Sequence, residues 1–250
     1  MEVKLRVRRF DPSQGDEAYY QRYAVEVPPS ATILDSLLAV RERVDGSLAF
    51  RCACRSAICG SCAMRVNGVS RLACKTKAID VAPNGGEITL EPLANLPVIK
   101  DLVAEMAPFY EKMRAVLPWL VVDPERPEPE REYLMEPERA LRLGHLVSCI
   151  QCAACYSACP IVAIDDGYLG PAALTKACRY CQDTRDDARA QRLARIADEE
   201  GLWRCHTVFS CMEQCPKGIN PTEAIQQLKK MVIFDRLGLD RSGKRRKRDV

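Results

Sequence analysis

The sequence predicts an α+β protein of two domains, a small mixed sheet followed by a helical half, and three observations carry that reading. Apolar residues alternate in two early segments, Val3-Leu5-Val7 and Tyr23-Val25-Val27, as half-buried strands require. Later segments carry helical signals instead, among them Asn220-Pro221-Thr222-Glu223, a cap with proline at the first helical position. Between the halves, the run from Asp123 to Glu130 holds three prolines among charges, so it can neither continue a helix nor bury a face and reads as an extended surface connection. We place the boundary between residues 103 and 104, giving domains of 1–103 and 104–250. Pro92 and Pro97 close the strand-rich part, and Lys100–Arg114 reads as a helix despite Pro108.

Within the first domain, Thr32 is a candidate N-cap for a helix with Ile33, Leu34, Leu37, Leu38 and Val40 on one side. Asn67-Gly68 separates Ala63–Val66 from Val69–Leu72 and is a favoured two-residue hairpin turn. It brings Cys62 and Cys74 back toward each other. A late strand around Ile88 and Leu90 completes the sheet. In the second domain, Ala172–Gln182 reads as a helix, and the helix opened by Asn220 turns Ile225, Leu228 and Val232 inward.

A chain of 250 residues with 47% hydrophobic and 28% charged residues has room for two small cores. Its net charge of +3 does not suggest a nucleic-acid binder. No stretch reaches the roughly 18 apolar residues of a membrane-spanning helix. The N-terminus alternates as a strand from the start, with neither a signal-peptide core nor an Arg/Ser-rich transit pattern, so a reducing, prokaryotic compartment or an already processed chain is expected. Against that background 14 cysteines are many. Five fall between Cys52 and Cys74 and nine between Cys149 and Cys215, a distribution that in a reducing compartment points to metal rather than disulfides.

The first group contains Cys54-x4-Cys59-x2-Cys62, followed after eleven residues by Cys74, which is the spacing of plant-type [2Fe-2S] ferredoxins. Ser56, Ala57, Gly60 and Ser61 are small, leaving backbone N–H groups able to point at sulfur. Structural zinc, which prefers paired C-x2–4-C knuckles, and free thiols are the alternatives. Cys52 is left over as a bystander.

The second group opens with Cys149-x2-Cys152-x2-Cys155-x3-Cys159-Pro160, the bacterial ferredoxin run whose fourth cysteine serves a neighbouring cluster. The partner run is Cys205-x2-Val208-x2-Cys211-x3-Cys215-Pro216, with Val208 where a third cysteine would stand. Cys149, Cys152, Cys155 and Cys215 are therefore expected to hold a [4Fe-4S] cluster, and Cys159, Cys205 and Cys211 a [3Fe-4S] cluster. A fourth iron held by water or a non-cysteine ligand is the competing possibility. Cys178 and Cys181 lie three apart on a predicted helix and are read as ordinary buried thiols rather than a redox pair. The second domain is thus all-α, of the bacterial-ferredoxin two-cluster type.

At this point the residues resemble a known family across nearly the whole chain, the iron–sulfur subunit of succinate dehydrogenase and fumarate reductase. The matching stretches are Cys59-Gly-Ser-Cys62-Ala-Met64, Leu72-Ala-Cys74-Lys75, Leu96 to Leu102, Tyr168-Leu-Gly-Pro171, Asp183-Thr-Arg-Asp186, Arg204-Cys-His206 and Cys215 to Pro221. Ala57 stands where the family usually has glycine. The resemblance implies a β-grasp first domain and an electron path through [2Fe-2S], [4Fe-4S] and [3Fe-4S] clusters, from FAD on a flavoprotein subunit to a membrane quinone held with cytochrome b-type membrane-anchor subunits. It implies an oxidoreductase of the succinate:quinone type, peripheral on the cytoplasmic face of the prokaryotic inner membrane. No G-x-G-x-x-G fingerprint is present, so flavin and dicarboxylate belong to a partner.

The resemblance also places the quinone near Pro160, Ile164 and His206. Here the chain departs from the family, because Ile161-Val-Ala-Ile164 replaces the Trp-Trp pair of ubiquinone-reducing members, in a segment one residue shorter. The lost indole donor leans toward menaquinone, the alternative being a site built by the anchor alone. His206 is either a packed structural histidine or a group near the quinone or an anchor haem, and His145 is a helix-surface residue. The tail Lys244–Arg248 is a solvated charge run or a contact with an anionic leaflet. Fumarate reduction, a subunit of another dehydrogenase, a soluble ferredoxin-type carrier and a zinc-stabilised module are the other functional readings.

Overall fold

The computed structural model describes residues 1–239, so the basic run Lys244–Arg248 lies outside the described residues. The chain divides into two compact units. The first comprises Met1–Phe109, Ile150–Ala158 and Glu213–Lys217; the second comprises Tyr110–Cys149, Cys159–Met212 and the chain from Gly218 onward.

In the first unit, strands β1 (Glu2–Arg9), β2 (Tyr19–Glu26), β3 (Ala63–Val66), β4 (Val69–Leu72) and β5 (Glu87–Glu91) form one sheet in the order β2-β1-β5-β3-β4. Only the β1–β5 pair is parallel. The alternation read from β1 is the burial pattern observed: Val3, Leu5 and Val7 are buried, and the residues between them are not. Helix α1 (Ile33–Arg43) buries Ile33, Leu34, Leu37, Leu38 and Val40. Burying a leucine or isoleucine in this way stabilises by about 1.5–3 kcal/mol. The helix starts where Thr32 and Asp35 form a reciprocal capping box. Asn67 and Gly68, both at positive φ, make the two-residue turn that joins β3 to β4. Short α2 (Ala78–Val81) precedes β5.

The stretch expected as a helix from Lys100 is instead a ribbon, β6 (Val98–Lys100) paired with β7 (Val103–Ala104), and α3 begins only at Ala107 (Ala107–Ala115). Asp101 explains the difference. At φ 47° it turns the chain, and its buried carboxylate accepts from Arg9 Nε (2.9 Å), Phe10 N (3.0 Å) and Ala49 N (2.8 Å). Pro108 falls in the first turn of α3, where a missing N–H leaves no acceptor unpaired. Arg9, almost fully buried on β1, also reaches Asp45 (2.6 Å), Gln21 (2.7 Å) and Ser47 (2.9 Å). Burial disfavours its charge, but the bonds to Asp101 and Asp45 outweigh that and raise its pKa. This tie between positions far apart in sequence holds the ribbon in place.

The rest of the first unit is Glu213–Lys217 and the segment carrying α5 (Ala154–Ser157), which packs beside β4. Ser157 Oγ bonds to Ser70 Oγ (2.9 Å) and accepts from Ala94 N (2.9 Å). Asn95 Nδ2 donates to Tyr156 O (3.0 Å), Gln214 accepts from Ser70 N (2.7 Å), and Lys75 Nζ donates to Pro216 O (3.0 Å). The rings of Phe109 and Tyr156 meet edge to face at 5.5 Å.

The second unit's regular elements among the described residues are helices: α4 (Pro137–Val147), α6 (Pro160–Ile164), α7 (Gly170–Gln182), α8 (Arg189–Ile196), α9 (Ser210–Glu213), whose last residue falls in the first unit, and α10 (Pro221–Arg236). A kinked π-type turn, Glu199–Trp203, follows α8. Asn220 caps α10 by accepting from Glu223 N (3.0 Å), and Ile225, Leu228 and Val232 face inward. At the unit's centre Arg192 is fully buried and forks onto Asp186 (2.7 and 3.1 Å), while its Nε donates to Val116 O (3.0 Å).

Candidate metal centres

The loop from Cys54 to Cys62 is shaped by left-handed residues. Arg55 (φ 54°), Ala57 (φ 55°) and Gly60 (φ 76°) reverse the chain so that successive N–H groups converge. Ser56 N (3.4 Å), Ile58 N (3.4 Å) and Cys59 N (3.3 Å) all donate to Cys54 Sγ, and Ala57 N donates to Cys74 Sγ (3.4 Å). Ala57, where glycine would be easier, still adopts the conformation the loop needs. The hairpin returns Cys74 to this loop, and Ala73 N bonds to Cys62 O (3.1 Å). The site is open on one side, with Cys59 and Ile58 exposed. The Ser61 hydroxyl, followed by the loop amides, lowers the Cys59 thiol to about 6, whereas burial pushes Cys62 up to about 12.

Cys152, Cys155 and Cys215 belong to the first unit, and Cys149 ends a segment of the second. Their loop repeats the same device, with Gln151 (φ 55°) and Ala153 (φ 60°) left-handed ahead of α5.

In the second unit Thr207 (φ 60°) and Phe209 (φ 68°) shape the third loop. Cys159, Cys205 and Cys211 line one small cavity together with Tyr168, Val208 and Thr222. Burial raises the Cys159 and Cys211 thiols, the Thr222 hydroxyl (3.5 Å from Cys211 Sγ) opposing it at Cys211. Tyr168 is buried in the wall of this cavity. Burial first, then the neighbouring sulfurs, raises its phenol. Lys229 Nζ donates to Cys205 O (3.2 Å).

The remaining singled-out residues are placed as follows. Cys178 and Cys181 are buried on α7, and burial raises them to about 12 and about 11, which keeps them as neutral thiols. Cys52 is half-buried. His145 is on the surface of α4. His206 and Pro160 line the three-cysteine cavity and are exposed, so His206 is not a packed core histidine. Ile164, at the end of α6, is 76% exposed. Tyr168 and Thr222 escaped sequence reasoning, because nothing in their spacing signals that they meet cysteines distant in the chain.

None of the fourteen cysteines is in a disulfide. Among the described residues no group of three or more His, Cys, Asp or Glu side chains is arranged to hold a single metal ion. Thiols beneath inward-turned amides in the first loop, and thiols set around a cavity in the third, suit the larger body of an iron–sulfur cluster and its negative sulfurs. Among the described residues no helix is long and apolar enough to cross a membrane.

Comparison with known proteins agrees with this chemistry. Residues 4–111 match the family described as a 2Fe-2S iron–sulfur cluster binding domain, and residues 145–219 match a 4Fe-4S dicluster domain. The chain is 39% identical over 227 residues to the fumarate reductase iron–sulfur subunit of Mycobacterium tuberculosis (strain CDC 1551 / Oshkosh), covering 91% of each. It is 38% identical over 232 residues to the succinate dehydrogenase iron–sulfur subunit of Paracoccus denitrificans, covering 92% of this chain and 88% of that one. Among solved structures, a chain of the Mycobacterium smegmatis Sdh1 complex in the apo form superposes with TM-score 0.83 at 29% identity, over 94% of this chain and 96% of that chain. A hypothetical protein from Helicobacter pylori shares the fold alone, at TM-score 0.57 and 16% identity over 92% of this chain and 39% of that one. An N-terminal [2Fe-2S] ferredoxin domain, a helical 4Fe-4S domain and near full-length identity to both named subunits lead to one conclusion: the chain belongs to the family of succinate dehydrogenase and fumarate reductase iron–sulfur subunits.

Proposed function

We propose that the chain is the electron-transfer subunit of a succinate:quinone oxidoreductase, with domains of 1–103 and 104–250. Cys54, Cys59, Cys62 and Cys74 hold a [2Fe-2S] cluster. Cys149, Cys152, Cys155 and Cys215 hold a [4Fe-4S] cluster, and Cys159, Cys205 and Cys211 a [3Fe-4S] cluster. When bound, these groups supply one-electron carriage between FAD on a flavoprotein partner and a membrane quinone. This chain's residues hold the thiolates apart, donate backbone N–H groups toward sulfur in the first loop, and line the three-cysteine cavity with Tyr168 and apolar side chains.

The observation that supports the reading most is the cavity shared by Cys159, Cys205 and Cys211 with Val208 beside them, since valine offers no donor to a fourth iron. Pro160 and His206 line that cavity and Ile164 is exposed on the helix leading from it, which favours this face for the quinone and for the membrane-anchor subunits that place the protein on the cytoplasmic side of a prokaryotic membrane. With Ile161–Ile164 in place of indole donors, we assign menaquinone as the partner oxidant. Physiological fumarate reduction is the second reading, favoured by the 39% identity to a subunit of that name.

A redox titration of the purified complex followed by electron paramagnetic resonance tests the assignment. Three separate cluster signals and succinate-dependent menaquinone reduction are expected. Fewer cluster types, or electron delivery only to a soluble protein, would refute it.

A further inference from the structure

Gly60 is the only buried residue between Arg51 and Ser61, in a loop whose neighbouring cysteine is exposed. A side-chain carbon added there would lie 2.8 Å from Cys152 Cβ, 3.0 Å from Cys152 Cα and 3.1 Å from Ile150 O. Two of those three atoms are backbone, so no flexible side chain can swing aside. Gly60 belongs to the loop of Cys54, Cys59 and Cys62. Cys152 belongs to the next cysteine group, and both residues lie in the first unit. The walls of two cluster sites therefore touch at a residue with no side chain.

We infer that Gly60 is a positioning residue that sets the separation between the [2Fe-2S] and [4Fe-4S] sites. Glycine is required twice over at this point. Its φ of 76° is in the left-handed region, and its missing Cβ permits the close backbone approach. The two requirements can be separated, because Gly68 in the β3–β4 turn has nearly the same φ (78°) and only the flexible end of Arg65 at 3.8 Å. Alanine at 68 strains the backbone alike without pushing any cluster wall. Alanine at 60 must move Cys152 away. The rest of the first unit opposes that movement, since Ser70–Ser157 and Asn95–Tyr156 bonds fasten the Cys152 segment to the sheet. The inference rests on the cluster assignment above.

The test uses the holo complex of wild type, Gly60→Ala and Gly68→Ala. Iron and sulfide content and the separate resonance signal of each cluster are measured first, and their absence from the wild type would sink the assignment rather than this inference. The decisive readout is the enhanced spin relaxation that the reduced [4Fe-4S] cluster imposes on the [2Fe-2S] signal, which depends steeply on separation. Gly60→Ala is expected to weaken that enhancement and to slow electron exchange between the two clusters, with both clusters retained, while Gly68→Ala matches wild type. Unchanged relaxation in Gly60→Ala, or an equal loss in Gly68→Ala, would overturn the inference. Should Gly60→Ala fail to assemble, absence of relaxation enhancement in the wild type itself would overturn it.

Discussion

The cysteine loop of the first unit and that of the second solve one problem with opposite surroundings. The loop at Cys54–Cys62 is open, aims four backbone N–H groups at two sulfurs, and holds Cys59 low at about 6. The loop at Cys205–Cys211 faces a cavity in which burial raises the Cys159 and Cys211 thiols and a buried tyrosine lines the wall. Both are shaped by left-handed non-glycine residues, so backbone conformation alone does not separate them. What separates them is which groups stand next to sulfur: amides and solvent in one, apolar walls and single hydroxyls in the other. Hydrogen bonding and solvent exposure are the levers by which a protein tunes a cluster, so the two sites are built to differ in potential.

The largest way to break the comparison is to unfasten one unit and leave the other. Asp101→Ala removes one of the two carboxylates that pair with Arg9 and the acceptor of two backbone amides in the first unit, and each buried donor left unsatisfied costs about 1–3 kcal/mol. Hydrogen exchange should show protection lost in β1 and the β6–β7 ribbon, with α7 and α10 protected as in wild type.

A smaller, sharper probe is Tyr168→Phe. A hydroxyl dipole near the sulfurs favours the reduced, more negative cluster, so losing the Tyr168 hydroxyl from the three-cysteine cavity should lower the potential of the proposed [3Fe-4S] site in a redox titration without changing the first loop. Ser61→Ala removes a hydroxyl at 3.2 Å from Cys59, but the backbone amides of its loop remain. It should shift the [2Fe-2S] potential by less.

The smallest effect is acid sensitivity. Hydrogen bonds from Ser47, then Tyr23, hold the Asp45 carboxylate below its ordinary 3.8. A carboxyl depressed by folding contributes stability that is complete above its unfolded pKa and is lost as pH falls through the folded value. Denaturant midpoints should therefore fall with acidification below about pH 4, and less steeply in Asp45→Asn.

Much of this fold was legible because local chemistry decides it. Asn67-Gly68 demands a tight turn, Thr32 a helix start, and Asn220-Pro221 another, and all three stand where the residues put them. Lys100–Ala104 reads locally as the start of a helix but folds as part of a ribbon because its conformation is set by Arg9, 92 residues from Asp101, a tertiary tie that no window of sequence contains. The same limit applies at the sites. Cysteine spacing is local and visible, whereas Tyr168 beside Cys205, the exposure of His206 and the approach of Gly60 to Cys152 exist only after folding.

The central claim is that a valine leaves one corner of the second loop's cluster without a ligand. Low-temperature paramagnetic resonance of the oxidised complex, wild type against Val208→Cys, tests it most directly. The wild type should give the signal of an odd-electron three-iron cluster, and the variant should lose it as a fourth thiolate recruits a fourth iron and makes the oxidised cluster diamagnetic. A wild type without that signal, or a variant that keeps it unchanged, would contradict the account.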